Sequence, residues 1–295
     1  MMDIAVTANL RLAPRAIESG LLRGRPQEGR AMTPSSSLES LLRRDRLVVA
    51  GLATVAAAAW AYLLTGAGMG MNALEMTAMG DSATILEPVP WSPARALLVF
   101  VMWLIMMIAM MLPSAAPTVL LFTAIARQSQ SMPSPEAGAA AFVAGYLVIW
   151  GVFSTGATLA QWGFEASLVL TPMMQSTNAM FDGVLLLAAG LYQLTPLKQA
   201  CLGRCRQPVS FLTQFWRGGI RGAFRTGVMH GAYCLGCCWF LMALLFFGGV
   251  MNLYWIAGIA TYVLAEKTLR RQRWFSYATG WALIASAAVV LARAG

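Results

Sequence analysis

The sequence has very few charged residues. Asp, Glu, Lys and Arg together make up 11% of the chain, whereas soluble domains contain about 25%. Hydrophobic residues make up 58%, and there is a single histidine. So little charge excludes an ordinary soluble domain, and the composition is typical of a protein embedded in a lipid bilayer.

Several functional signatures are also missing from the sequence. It has no phosphate-binding loop, no P-type ATPase phosphorylation sequence and no visible internal repeat. These absences argue against an ATP-driven pump and an inverted-repeat transporter. The net charge of +9 does not indicate a nucleic-acid partner, because the basic residues flank apolar runs instead of covering a soluble face.

Long apolar runs dominate the remainder of the chain. They predict an all-α protein, a polytopic transmembrane helix bundle of about seven spans. The fourth and sixth runs are close to the lower limit of about 17 residues for a spanning helix, so six spans is the alternative. The predicted spans are Leu47 to Gly66, Arg95 to Phe122, Ala139 to Trp162, Phe181 to Leu194, Phe224 to Phe247, Asn252 to Ala265 and Phe275 to Ala292.

The placement of the basic residues predicts the orientation in the membrane. If the N-terminus is cytoplasmic, all but Arg95 and Arg293 of the 21 Lys and Arg residues fall on the cytoplasmic side. The positive-inside rule therefore favours a multi-pass protein that crosses the membrane seven times, with its N-terminus in the cytoplasm and its C-terminus on the opposite side. Residues 1–46 are rich in Arg, Ser, Pro and Gly and are predicted to form a disordered basic cytoplasmic tail, with residues 47–295 as the transmembrane domain.

The fifth run contains the segment HGAYCLGCCW, in which a histidine is followed by three cysteines. Residues spaced 4, 7 and 8 positions from the first lie within an arc of about 100° on a helix. The residues concerned are His230, Cys234, Cys237 and Cys238. A polar imidazole among sulfur ligands within a membrane span indicates a soft-metal site.

The second run is rich in methionine, and Met102, Met106, Met107, Met110 and Met111 lie within ten residues. Thioethers are soft, neutral ligands that suit Cu(I) and are easily buried in lipid. The alternative is that they are ordinary apolar residues of a membrane core. A loop on the predicted outer side carries four more methionines, Met69, Met71, Met76 and Met79. This loop is either a segment that collects copper or a turn at the membrane interface.

A further cysteine pair follows the fourth run. Thr195 is predicted to cap a helix that begins at Pro196, and this helix places Cys201 and Cys205 one turn apart on one face. The pair could bind a metal, form a redox couple or remain as two reduced thiols. Nearby basic side chains are expected to favour the thiolate form; they are Lys198, Arg204 and Arg206.

Three segments, MWLIMMIAMMLPSAAP, LYQLTPLKQACLGRCRQP and HGAYCLGCCWFLM, resemble the motifs of an uncharacterised bacterial family of predicted metal-binding integral membrane proteins. Some members of that family carry a copper-chaperone label. The resemblance covers nearly everything from the second span onward. It implies roles for Met106, Met107, Met110, Met111, Pro113, Pro196, Lys198, Cys201, Cys205, His230, Cys234, Cys237, Cys238 and Trp239.

Together with this resemblance, these features predict a multi-pass protein of the bacterial inner membrane, with its C-terminus in the periplasm. The protein is expected to bind a soft metal, with Cu(I) as first choice and zinc as the alternative, in copper handling or delivery. Expected partners are the lipid bilayer and either a copper chaperone or a larger membrane complex. One alternative is a membrane thiol-disulfide oxidoreductase that uses Cys234 and Cys237, with Cys201 and Cys205 as a relay. Another is a helical subunit of a copper-dependent complex.

Overall fold

The computed structural model describes residues 45–67, 90–129, 132, 134–171, 176–269 and 273–294. The predicted tail, residues 1–46, lies outside the described residues except for its last two, and so does the methionine-rich loop with Met69, Met71, Met76 and Met79. Within the described ranges the chain is helical and forms no strand, apart from an isolated bridge between Leu170 and Ser176. The predicted all-α class is confirmed.

The described helices follow the predicted apolar runs closely. They are α1 (Arg46–Leu64), α2 (Pro93–Gln128), α3 (Pro135–Ala166), α4 (Ala179–Leu194), α5 (Pro196–Arg206), α6 (Pro208–Phe215), α7 (Gly219–Ala243), α8 (Leu245–Gly248), α9 (Leu253–Thr268) and α10 (Arg273–Ala294). The predicted cap of α5 is also confirmed, because the Thr195 side chain accepts a hydrogen bond from the Lys198 amide at 3.3 Å. A polar cap and a proline therefore set the start of α5 where the sequence indicated.

Five stretches of helix in the described residues are long and apolar enough to cross a membrane: α1, α2, α3, α7 with α8, and α10. The bent pair of α4 and α5 raises the number to six if the pair counts as one span; its two helices meet at 64°. The described residues thus give five or six candidate spans, fewer than the predicted seven and at most the six of the alternative. The remaining predicted span, Asn252 to Ala265, corresponds to α9, whose 16 residues fall short of that length.

Helices α4 and α9 are both short for a membrane span. Each has 16 residues, which corresponds to about 24 Å at 1.5 Å per residue, whereas a bilayer core is about 30 Å thick. Helix α4 ends at Leu194, and α5 then continues in a new direction. The last turn of α9 carries Glu266 and Lys267. These charged residues therefore lie at the ends of short helices.

Helices α3 and α7 cross with almost no side chain between their backbones. A Cβ atom at Gly227 would overlap the Phe142 carbonyl oxygen, and one at Gly145 would overlap the Phe224 carbonyl oxygen. Such close approach is typical of membrane helices that carry small residues at their interface. The crossing brings the α3 side chains directly against the cysteine face of α7.

Helix α2 continues through two prolines in its interior, Pro113 and Pro117. Pro113 cannot donate to the carbonyl of Ala109, which is four residues earlier, so that oxygen needs another partner. The Trp60 indole of α1 donates to it at 3.2 Å. Because the free carbonyl has this partner, α1 is attached to the middle of α2 by a hydrogen bond as well as by apolar packing.

Two ion-pair clusters mark the opposite ends of α3. At its C-terminal end Arg95 binds Glu165 at 3.1 Å, and both residues belong to the predicted outer face. At its N-terminal end Arg127 binds Asp45 at 2.6 Å and Glu136 at 3.1 Å. Both clusters lie where ionic groups would be expected at a membrane surface.

We predict that cysteines introduced near the two surfaces will label from opposite sides. Ser210 and Ser167 are both exposed, and Ser210 follows the basic segment that the positive-inside rule places in the cytoplasm. In spheroplasts of a strain carrying Cys201→Ser and Cys205→Ser, a membrane-impermeant maleimide should modify Ser167→Cys directly. It should modify Ser210→Cys only after lysis. Direct labelling of Ser210→Cys would invert the orientation.

Candidate metal centre

The predicted ligands of α7 share a buried face of that helix. His230 is 3% exposed, and Cys234, Cys237 and Cys238 are exposed by 1%, 0% and 1%. Their spacing of about one and two helical turns points all four inward. Burial of every member agrees with the one-face geometry derived from the sequence, so the candidate centre lies inside the bundle, away from lipid.

The α7 thiols are grouped in pairs around one backbone carbonyl. The Cys234 carbonyl oxygen accepts hydrogen bonds from the Cys237 thiol at 3.1 Å and the Cys238 thiol at 3.0 Å. The thiols of Cys237 and Cys238 therefore share one acceptor. Adjacent sulfurs therefore line the inner face of α7.

Helix α5 adds its two cysteines to this group. The Cys205 thiol lies close enough to that of Cys237 for the two to interact electrostatically. The Cys201 sulfur lies over Gly236, where a Cβ atom would approach it to 2.9 Å. The absence of a side chain at Gly236 makes room for this sulfur. The two cysteine motifs are thus brought together, because Cys201 and Cys205 pack against the same hydrophobic core that contains Cys234, Cys237 and Cys238.

The second span contributes a thioether. The Met111 sulfur lies 3.9 Å from the Cys238 sulfur, so α2 reaches the cysteine cluster. Met106, Met107 and Met110 are also buried, in the same apolar core. Within the residues that the structure describes, Met111 is the methionine whose sulfur is in contact with a thiol.

A lysine lies against the cysteine cluster. The Lys267 ammonium group contacts the Cys234 sulfur at 3.0 Å and the Ser114 hydroxyl at 2.9 Å, and Lys267 is only 8% exposed. The Tyr146 hydroxyl approaches the same sulfur at 3.1 Å and donates to the Met111 carbonyl at 3.2 Å. The sequence pattern predicted Lys267 to be a loop charge at the membrane surface, and the structure instead buries it in the core.

A buried ion pair connects α5 to α9. The Lys198 ammonium binds the Glu266 carboxylate at 2.8 Å, and both side chains are fully buried. The carboxylate also accepts hydrogen bonds from Ser276 of α10 at 2.6 Å and Tyr262 at 3.1 Å. Arg206 donates to the Glu266 backbone carbonyl at 2.8 Å. This network fixes α5, and hence its cysteines, beside α7.

The basic residues expected to activate Cys201 and Cys205 point elsewhere. Lys198 and Arg206 bind Glu266, and Arg204 hydrogen-bonds with Gln214. The ammonium group that contacts a thiol belongs to Lys267, and the thiol is that of Cys234. The contact between a basic side chain and a thiol, which was expected on α5, is therefore found on α7.

His230 is surrounded by aromatic rings. Its imidazole lies 5.7 Å from the rings of Phe142 and Tyr146 and 5.2 Å from that of Phe211, measured between ring centroids. Its Nδ1 atom is buried and has no hydrogen-bond partner among the described residues. A buried nitrogen without a partner is costly. The unsatisfied nitrogen fits a role as ligand, one turn from Cys234.

The arrangement of the thiols suits a metal ion that binds few ligands. In the described ranges, no three His, Cys, Asp or Glu side chains form a group that could hold a metal ion. Structural zinc sites use four such ligands in a tetrahedron. Neighbouring sulfurs in pairs fit a soft cation that accepts few ligands, and the donor set of thiols, a thioether and an imidazole suits Cu(I).

Sequence reasoning missed three contributors to this centre, namely Tyr146, Ser114 and Lys267. Tyr146 and Ser114 occur singly in apolar helices, so no spacing distinguished them. For Lys267 a signal was present: it follows Glu266 directly after an apolar run too short to cross a membrane. Charged residues at the end of such a short run can be buried inside the bundle.

The comparison with known families points to copper. A family model, PpoB2, described as a copper chaperone, matches residues 100–290, and this region contains all of the predicted ligands. No curated protein and no solved structure matches the chain. Because the matched region covers more than half of the 295 residues, the chain belongs to this copper chaperone family.

Proposed function

We propose that this protein binds Cu(I) within the bacterial inner membrane and delivers it to a partner. The observation that carries the proposal is the convergence of α2, α5 and α7 on one buried sulfur cluster, in which Lys267 contacts Cys234. The family description supports copper as the metal. The helices long and apolar enough to span a bilayer support a membrane location.

The chemistry of the cluster supports a monovalent copper ion. Thiolates and thioethers are soft ligands that favour Cu(I) over hard cations. Cysteine must lose its proton to bind a metal, and the Lys267 ammonium favours a thiolate at Cys234 because it lies 3.0 Å from that sulfur. We assign Cys234, Cys237 and Cys238 as ligands that hold the ion in neighbouring pairs, with His230 as a further donor.

A path for the ion follows the order of the sulfurs. Met111 contacts Cys238, Cys238 neighbours Cys237, and Cys237 pairs with Cys205 of α5. An ion that exchanges one sulfur for the next moves along this row without becoming hydrated. We propose that Met106, Met107 and Met110 extend the row along α2, and that Cys201 and Cys205 form the exchange point on the cytoplasmic side.

One contact favours a second function, a membrane thiol-disulfide oxidoreductase. The thiols of Cys205 and Cys237 are neighbours from different helices, as a reversible disulfide would require. This pair differs from the Cys234 and Cys237 couple that the sequence suggested. The two functions make opposite demands on the cysteines, because Cu(I) binding needs reduced sulfurs, whereas the enzyme must oxidise them.

We predict that Cys234→Ser and Cys237→Ser will each weaken Cu(I) binding by at least about tenfold, or about 1.4 kcal/mol. Serine keeps the size of the side chain but removes the soft ligand. The measurement is a Cu(I) titration of the purified protein against a competing chelator under reducing conditions. Met242→Leu is the control, because Met242 is buried on the same helix and has no assigned role. Unchanged affinity in both cysteine variants would rule out the assigned site.

We predict that His230→Phe will lower Cu(I) affinity by about tenfold while leaving all five thiols titratable. Phenylalanine retains the ring packing with Phe142, Tyr146 and Phe211 but removes the imidazole nitrogen. The same samples are trapped with acid and alkylated to detect disulfides. Normal copper binding, together with a quinone-dependent disulfide between Cys205 and Cys237, would favour the oxidoreductase instead.

A further inference from the structure

We propose that Lys267 sets the charge of the metal ion that the sulfur cluster accepts, so that the cluster selects a monovalent soft cation over a divalent one. The inference rests on the proposed function, since it concerns the same cluster. It adds a specificity determinant, because the family description names copper but not the feature that would exclude zinc or another thiol-binding divalent ion.

The Lys267 ammonium group is buried beside the sulfurs. Its hydrogen-bond partners are the Ser114 hydroxyl and the Cys234 sulfur. In the part of the chain that the structure describes, it forms no ion pair with a carboxylate. A buried charge is costly unless it is compensated, so the cluster needs negative charge to balance this lysine.

The other charged groups on the surrounding helices compensate each other or point away from the sulfurs. On α5 and α9, Lys198 and Glu266 compensate each other at 2.8 Å. Helix α3 contributes the neutral Tyr146, and α7 contributes His230 together with its thiols. Arg206 lies at the end of α5 and is directed at a backbone carbonyl. Lys267 is thus the one excess cation that touches the cluster within the described residues.

The loaded site has a charge that follows from its ligands. Cys237 and Cys238 donate their thiols to the same carbonyl oxygen, so an ion held by two such neighbouring thiols displaces two protons and leaves two thiolates. Two thiolates, one ammonium and a monovalent cation sum to zero, whereas a divalent cation leaves a net charge of +1. Neutral ligands such as Met111 or His230 do not alter this sum. Because uncompensated charge is disfavoured inside a protein, the cluster should reject the divalent ion.

Silver and cadmium separate charge from softness. Ag(I) and Cd(II) both bind thiolates strongly and do not change oxidation state under mild conditions, but they differ by one unit of charge. The experiment measures the affinity of the purified protein for each ion by competition with dithiothreitol. The quantity of interest is the ratio of the Ag(I) and Cd(II) association constants, which isolates the effect of metal charge.

Lys267→Met should lower this ratio by at least about a hundredfold, because methionine fills the same space without the charge and makes the Cd(II) site neutral. Ser114→Asp should shift the ratio in the same direction. It leaves the lysine in place but supplies a carboxylate where the hydroxyl now lies 2.9 Å from the ammonium. The second variant keeps the test valid if the first does not fold.

Two controls preserve the charge balance. Lys267→Arg keeps the positive charge, and the double variant Lys198→Met with Glu266→Gln removes a compensated pair as a unit. Both should keep the wild-type ratio even if the affinities for both ions fall together. A change of ratio in the double variant, as large as that in Lys267→Met, would mean that local packing, not charge, sets the preference.

The outcomes distinguish this inference from the proposed function. Tight Ag(I) and Cu(I) binding with an unchanged ratio in both Lys267→Met and Ser114→Asp would overturn the role of Lys267 and leave the copper site intact. Failure of the wild-type protein to bind either monovalent ion would overturn both. A ratio that falls in both variants and stays constant in both controls would establish charge selection by Lys267.

Discussion

The site depends on the backbone-to-backbone crossing of α3 and α7. Glycines at Gly145 and Gly227 allow each helix to rest against a carbonyl oxygen of the other, so the axes are closer than ordinary side chains permit. At this separation Tyr146 reaches Cys234. The same tyrosine binds the Met111 carbonyl and so joins α2 to both helices. The cysteine cluster exists because three helices are held at this distance.

The interior contains few charged side chains, and those near the cysteines have specific partners. Glu266 and Lys198 hold the ends of α5, α9 and α10 together, while the adjacent Lys267 turns toward the sulfurs. Buried ion pairs seldom add much net stability, because desolvation offsets their attraction. Their value here is geometric: the Lys198 pair positions the α5 cysteines, and Lys267 is then free to interact with the thiols.

The sequence predicted the helices and the cysteine face well, because both depend on local periodicity. His230, Cys234, Cys237 and Cys238 share one face because residues four, seven and eight positions after the first lie on the same side of a helix. Local periodicity could not predict that Cys205 lies beside Cys237, or that Lys267 lies beside Cys234. Those contacts depend on how separate helices pack. The charged pair after the sixth apolar run looked like a loop, because hydropathy does not show that α9 ends inside the bundle.

The shortness of α4 and α9 has a consequence for access to the cluster. A helix about 6 Å shorter than the hydrocarbon layer forces the bilayer to thin, or admits water, beside its end. Both short helices end near the α5 cysteines and the Glu266 network. Under the proposed function, a soluble acceptor would meet the sulfurs at this local depression in the membrane surface, and it would not have to enter the hydrocarbon to collect its ion.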